Sequence, residues 1–320
     1  MSVLPRSLMH QLKADLGVSV QGSAPAAGGM ICHAARVHTD RGDIFVKWRH
    51  GAAPGFFRAE AAGLELLGAV GALRVPRVIA WKDAASSTGG TPYLALEFIE
   101  HRAPGDEASF GRRFGEGLAR LHAEAPSPFG AYGLEYNNFL GAEPQCNTPH
   151  AAWSRFYREC RLVPQIERAR RLGLLPPRRE AALQTILEEV DDLLQGIPEE
   201  PCLIHGDLWS GNFLSAGNEA VLVDPAVYYG HREVELAYIE LFGGFPKGFM
   251  DGYCRSFPLP EGYAYRRPLH QLYPLLIHLN HFGEAYGPHV DEVCSFYAHG
   301  LTRTKHRRSA RNHDTLEFGI

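Results

Sequence analysis

The run Leu203-Ile204-His205-Gly206-Asp207-Leu208-Trp209-Ser210-Gly211-Asn212-Phe213, followed by Leu222-Val223-Asp224-Pro225, constrains this chain more than any other stretch. An apolar strand delivers one carboxylate to a polar loop, an amide follows five positions later, and a second apolar strand ends on another carboxylate. Gly217-Asn218 supplies a turn between the strands, so the hairpin folds Asp224 back toward Asp207 and Asn212. Phosphoryl transfer asks for this set of groups: a hydroxyl must be oriented and relieved of its proton while Mg²⁺ offsets the negative charge of the phosphates. A kinase catalytic loop uses Asp as the hydroxyl acceptor, an Asn five residues on as metal ligand, and a strand-borne Asp as the other. Asp207 is therefore the expected base, and Asn212 and Asp224 are the expected Mg²⁺ ligands. Singly, each is better explained as stabilising a turn or ending a strand. Their order and spacing favour the chemical reading. His205, directly after the strand, is expected to brace the loop by hydrogen bonds rather than act as a second base.

ATP also needs phosphate contacts from elsewhere in the chain. Ile44-Phe45-Val46-Lys47-Trp48 offers a strand lysine whose ammonium would reach the α- and β-phosphates, and Glu60, one helix later, would hold it. A lone strand lysine is usually a solvated edge charge, but its place before a helix glutamate and the Asp-Asn-Asp set marks Lys47 as a nucleotide ligand. Gly28-Gly29 precedes the first strand of that hairpin, where residues lacking Cβ let backbone N–H groups approach phosphate oxygens; a plain turn explains them equally well. No G-x-x-x-x-G-K-[ST] sequence is present to suggest a P-loop fold. Tyr93 to Ile99 runs as a strand toward a polar stretch, which places the backbone of Glu97 and Ile99 where an adenine would bond; an ordinary buried strand is the competing account. His281 and Glu284, read as neighbours on one helix face, are candidate contacts for a sugar or a metal, with surface or core placement the bland alternative.

The rest of the chain fits an α+β plan. Strand patterns around one helix (Phe57, Ala61, Leu64, Leu67) fill the first hundred residues, and from Asp106 helical stripes such as Phe110, Phe114, Leu118, Leu121 dominate. At 320 residues two lobes are expected: a nucleotide-binding lobe over 1–101, a catalytic and substrate lobe over 102–302, and a solvated tail over 303–320. The net charge of −4 creates no field that would draw the protein to nucleic acid or to an anionic membrane, so a small polar partner is expected. Six cysteines without a C-x-x-C pair suggest reduced thiols in a cytoplasm, and neither a signal peptide nor an 18-residue apolar run is present.

At this point the sequence resembles the fructosamine kinase, or ketosamine-3-kinase, family within the aminoglycoside-phosphotransferase-like group. The matching parts span nearly the whole chain: Gly28-Gly29-Met30-Ile31, Phe45-Val46-Lys47, Phe57-Arg58-Ala59-Glu60, Asn138-Phe139-Leu140-Gly141, Pro144-Gln145-Cys146-Asn147, the catalytic loop, Val223 to Gly230, and Leu241-Phe242-Gly243-Gly244-Phe245-Pro246. The resemblance implies a bilobal, protein-kinase-like fold with a small N-terminal antiparallel sheet. It implies transfer of the γ-phosphoryl of ATP to the sugar 3-hydroxyl of a fructosamine, ribulosamine or erythrulosamine adduct, as a small molecule or on a glycated protein, promoting deglycation. By the same resemblance the ring of Trp209 forms an apolar wall for the sugar, or else packs the loop. Three departures stand out: Met30 replaces a frequent cysteine with Cys32 two positions on, His231 and Glu235 replace aspartates, and the tail after Leu301 has no counterpart. The competing readings are an aminoglycoside or choline type phosphotransferase of the same fold and a non-catalytic binding protein that retains it.

Overall fold

Alternation of side chains across a strand decides how the N-terminal sheet buries both faces. The computed structural model describes residues 3–26, 31–83, 90–196 and 200–298. Five antiparallel strands stand in the order β1-β2-β3-β5-β4: β1 (Val20–Pro25), β2 (His33–Thr39), β3 (Gly42–Trp48), β4 (Val78–Lys82) and β5 (Tyr93–Glu97). On one face Ala35, Val37, Val46, Trp48, Tyr93 and Ala95 pack under helix α1 (Arg6–Leu16) through Leu8 and Leu12. On the other, Phe45, Leu94 and Leu96 meet Phe56, Phe57, Ala61 and Leu64 of α2 (Phe56–Val70). Two positions after Phe45 on the same strand, Lys47 therefore faces α2. β1 is a strand that the sequence pattern does not announce, because Val20-Gln21-Gly22-Ser23-Ala24-Pro25 is rich in small residues. Its backbone is ordered by pairing with β2, where Ser23 stands opposite Val37.

By compactness the chain forms two units. The first joins Met1–His150 with Glu199–Pro260, and the second joins Ala151–Pro198 with Glu261–Ile320. The sheet and the catalytic strands thus share the first unit, which the expected division at 101/102 separates. In it, α3 (Glu107–Glu124) starts at Asp106, whose carboxylate caps the Ala108 N–H at 3.0 Å, buries the stripe Phe110, Phe114, Leu118, Leu121, and packs on α8 (Phe249–Ser256), with Gly115 close to its backbone and Phe114 on Phe249. Four short strands follow from two hairpin-like returns: β8 (Cys202–Ile204) pairs with β11 (Tyr228–Gly230), and β9 (Phe213–Ala216) pairs with β10 (Glu219–Leu222) across the Gly217 turn. A further hairpin, β6 (Asn138–Leu140) with β7 (Glu143–Gln145), precedes them, and α7 (Arg232–Phe242) follows.

The second unit is helical: α4 (Trp153–Tyr157), a π turn over Arg158–Leu162, α5 (Val163–Arg171), α6 (Pro177–Leu193), α9 (Tyr263–Phe282), and residues 287–298. Leu269, Leu272, Leu276 and Leu279 of α9, recurring at helical spacing, are buried, and Tyr157 Oη donates to Leu269 O at 2.7 Å. His281 and Glu284 do not share a helix face. α9 stops at Phe282, Gly283 takes φ 73°, and Glu284 lies in a 3₁₀ turn with its carboxylate held by both Nη atoms of Arg179 at 2.8 and 2.9 Å. His281 Nδ1 meets Ile277 O of its own helix. No helix among the described residues is long and apolar enough to cross a membrane.

Candidate active site

The β9–β10 hairpin does what its turn predicts: Phe213 stands opposite Leu222, and the Val223 N–H donates to Asn212 O at 3.0 Å. That return sets Asp224 beside the loop that begins at Asp207. Asp224 is the one non-glycine among the described residues with positive φ, at 53°. An aspartate tolerates this left-handed backbone better than bulkier residues do, and strain of this kind gathers at functional sites.

Lys47 Nζ reaches Asp224 Oδ1 at 2.9 Å and Glu60 Oε1 at 2.6 Å, so strand β3, helix α2 and the end of the catalytic hairpin meet on one ammonium. The side chain is only 7% exposed. Burial works against its charge, but Asp224 and Glu60 outweigh that cost and hold the ammonium protonated well above the usual lysine range. Nearby, burial pushes the Cys32 thiol up to about 11, away from thiolate chemistry at neutral pH.

Asp207 accepts from Tyr238 Oη at 2.7 Å on Oδ1 and from Asn212 Nδ2 at 2.9 Å on Oδ2; Nδ2 also donates to Asp207 O at 2.7 Å. With both hydrogens of that amide committed, Asn212 Oδ1 remains for a cation, and Asp224 keeps Oδ2. Two oxygens of this kind suit a hard divalent cation such as Mg²⁺. Burial raises the Asp207 carboxyl to about 7 against the opposing hydrogen bonds from Tyr238 and Asn212, close to the operating range of a general base.

The loop rests on a buried polar chain that the sequence did not disclose. The Gly206 N–H donates to Glu235 Oε1 at 2.8 Å; Glu235 Oε2 pairs with His122 Nε2 at 2.9 Å, and His122 Nδ1 meets Tyr253 Oη at 2.8 Å. Gly206 itself has φ 82°, and a Cβ there would strike Ala226 O, so no other residue fits before the base. His122 and Glu235 side chains are fully buried, and the His122 and Gly206 bonds keep the Glu235 carboxyl below its ordinary value despite burial. His205 fills the bracing role expected of it: Nε2 meets Val223 O at 2.9 Å, Nδ1 accepts the Asp207 N–H at 3.3 Å, and burial lowers its pKa, favouring neutral imidazole. The available signals were a histidine beside the apolar stripe of α3, and Glu235 seen only as a replaced aspartate.

Trp209 is 40% exposed on the loop between Asp207 and Asn212, and its ring lies against Gly211 of the same loop, where a Cβ would strike it. At the end of β5, Glu97 gives its N–H to Arg77 O at 2.9 Å, so that donor is already engaged. Its carboxylate is held by Arg74 Nη2 at 2.6 Å, while Arg74 Nη1 reaches Glu219 of β10 at 2.8 Å. Ile99 is half-buried just beyond. Gly28 and Gly29 lie outside the described residues, as does the 303–320 tail. His281 and Glu284 belong to the second compact unit, whereas all the other described candidates named here belong to the first.

Known proteins resemble this chain over most of its length. The fructosamine kinase family profile matches residues 5–297. The chain is 37% identical over 266 residues to the chloroplastic protein-ribulosamine 3-kinase of Arabidopsis thaliana, covering 81% of this chain and 77% of that protein. It is 31% identical to the ketosamine-3-kinase of Mus musculus, over 86% of this chain and 94% of the mouse protein. A crystal structure from Thermobifida fusca, of a candidate fructosamine-3-kinase, superposes with TM-score 0.80 at 35% identity, covering 92% of this chain and 99% of that one. An aminoglycoside phosphotransferase in ternary complex with AMP-PNP and hygromycin B shares the fold, with TM-score 0.62 and 16% identity over 91% of this chain and 99% of its own.

Proposed function

Because this chain belongs to the fructosamine kinase family, we propose that it transfers the γ-phosphoryl of ATP to the sugar 3-hydroxyl of a ketosamine. The observation that carries the reading is the meeting of Lys47, Glu60 and Asp224 on one side with the hydrogen-bonded Asp207–Asn212 pair on the other. Asp207 takes the hydroxyl proton as the sugar oxygen bonds to the γ-phosphorus and the bond to the β-phosphate bridging oxygen breaks, releasing ADP. Lys47, fixed by Glu60, neutralises phosphate charge. Asn212 and Asp224 would hold Mg²⁺, which supplies electrostatic stabilisation of the triphosphate when bound. Neutral His205 and ionised Glu235 keep the loop in register. Trp209 offers an apolar face to the sugar. Phosphorylation of glycated proteins, with deglycation as its outcome, extends the same chemistry, and the sparse, unclustered cysteines support a cytoplasmic setting.

Incubation with ATP and free ribulosamine, erythrulosamine and fructosamine compounds, with the phosphorylated carbon located by NMR, tests the reading. Phosphate at C3 is expected; transfer only to aminoglycosides or choline, or to nothing, would refute it. Asp224→Ala is expected to weaken Mg²⁺-dependent AMP-PNP binding by about tenfold to 100-fold in calorimetry, and equal affinity would remove Asp224 from the metal site. The base acts deprotonated, so kcat/KM should fall as pH drops through the Asp207 value of about 7, roughly tenfold per unit below it. A flat profile from pH 5 to 8 would count against that role.

A further inference from the structure

The chain between Asp224 and β11 is only three residues long, Pro225 to Val227, and its carbonyls have no strand partner. Two amide side chains of the β6–β7 hairpin meet Ala226 O and Val227 O instead, and a third, Asn147 at its exit, braces them through Asn138. Asn138 Nδ2 donates to Val227 O at 2.8 Å, and Gln145 Nε2 donates to Ala226 O at 3.1 Å. Asn138 Oδ1 in turn accepts from Gln145 Nε2 at 2.9 Å and from Asn147 Nδ2 at 2.8 Å, which uses both of its lone pairs. All three side chains are buried, at 3%, 2% and 0% exposure. From the opposite side Ala226 N donates to His205 O at 2.9 Å.

The same three residues carry the helix that bears Glu60. Gly63, just under one turn on from Glu60, lies flat on this segment: a Cβ there would stand 3.3 Å from both Pro225 Cγ and Val227 Cγ2. Phe139 of β6 packs on Phe56 at the start of α2, with ring centroids 5.2 Å apart. The hairpin therefore touches α2 directly and also supports the strip of backbone on which α2 rests.

We propose that the buried amide cluster Asn138–Gln145–Asn147 is a positioning device for the phosphate and metal site, with Asn138 as its hub. Resting on the kinase reading given above, it fixes Asp224 through Ala226 and Val227, and fixes Glu60, hence Lys47, through α2. Kinases that switch order the corresponding segment with a phosphate and an arginine. Here neutral amides inside the fold take that place, so no added phosphate is needed to bring Glu60 and Asp224 to Lys47. A buried network of this kind is rigid when every member is satisfied and fails sharply when one donor is lost.

Asn138→Asp tests the proposal because it keeps the shape and both acceptor contacts but turns the donor facing Val227 O into an acceptor. Mg·AMP-PNP affinity, measured by calorimetry at a temperature where circular dichroism shows the variant fully folded, should fall by about tenfold to 100-fold. In turnover assays kcat should fall while KM for the ketosamine stays within about twofold, since the sugar-facing groups are untouched. Gln145→Met, which removes the two hydrogen bonds from Nε2 to Ala226 O and Asn138 Oδ1 at similar volume and buries no charge, should shift nucleotide affinity in the same direction and decides the matter if Asn138→Asp does not fold. Unchanged Mg·AMP-PNP affinity in a folded variant would overturn the proposal and leave the cluster a packing feature. Wild-type protein that binds Mg·AMP-PNP yet phosphorylates no ketosamine would instead sink the substrate reading alone.

Discussion

Asp207→Asn is expected to lower kcat by about 10²- to 10⁴-fold while leaving Mg·AMP-PNP affinity and the folded state close to wild type. The substitution preserves volume, and the new amide still accepts on one atom from Tyr238 or Asn212, so the loop keeps most of its hydrogen bonds. What disappears is the carboxylate proposed to take the sugar hydroxyl proton. The measurement is steady-state turnover with a ribulosamine acceptor beside calorimetric nucleotide binding. Loss of both together would indicate collapse of the loop, and loss of neither would show that the proton leaves by another route.

The second large effect lies in stability. Glu235→Leu removes the acceptor for the Gly206 N–H and the partner of His122 at once, in a place where both ionisable side chains are fully buried. Removing one member of a buried pair costs about 3–5 kcal/mol because the other is left without compensation. That corresponds to a fall in Tm on the order of 10 °C for a chain of this size. Glu235→Gln retains an acceptor and should lose much less. Differential scanning calorimetry of the two variants separates them, and equal melting temperatures would show that the Gly206–Glu235–His122 chain contributes little.

How much of this was legible in the sequence depended on how local the information was. Asp207, Asn212 and Asp224 lie within eighteen residues, and both the turn that joins them and the chemistry they share are written in that span. Lys47 and Glu60 were legible from their order before the Asp-Asn-Asp set, and strand alternation puts Lys47 on the face that α2 covers. β1 was not, since its small residues have little strand preference of their own and take shape from β2. The Glu235–His122 pair joins α7 to α3, and nothing local says that a histidine beside one apolar stripe will meet a glutamate on another helix. His281 with Glu284 was misjudged by overlooking Gly283, a helix-ending residue standing between them. The buried amides of Asn138, Gln145 and Asn147 were visible only as part of a family resemblance, because their partners are backbone carbonyls that no sequence pattern names.

The Lys47 ammonium shared by Glu60 and Asp224 has a thermodynamic consequence. A divalent cation approaching Asp224 alone meets a positive charge already lodged there, and is repelled. A triphosphate offers that ammonium new oxygens and so lowers its hold on the carboxylate. Each guest therefore makes room for the other, and because such coupling is reciprocal, the gain in magnesium affinity caused by nucleotide must equal the gain in nucleotide affinity caused by magnesium.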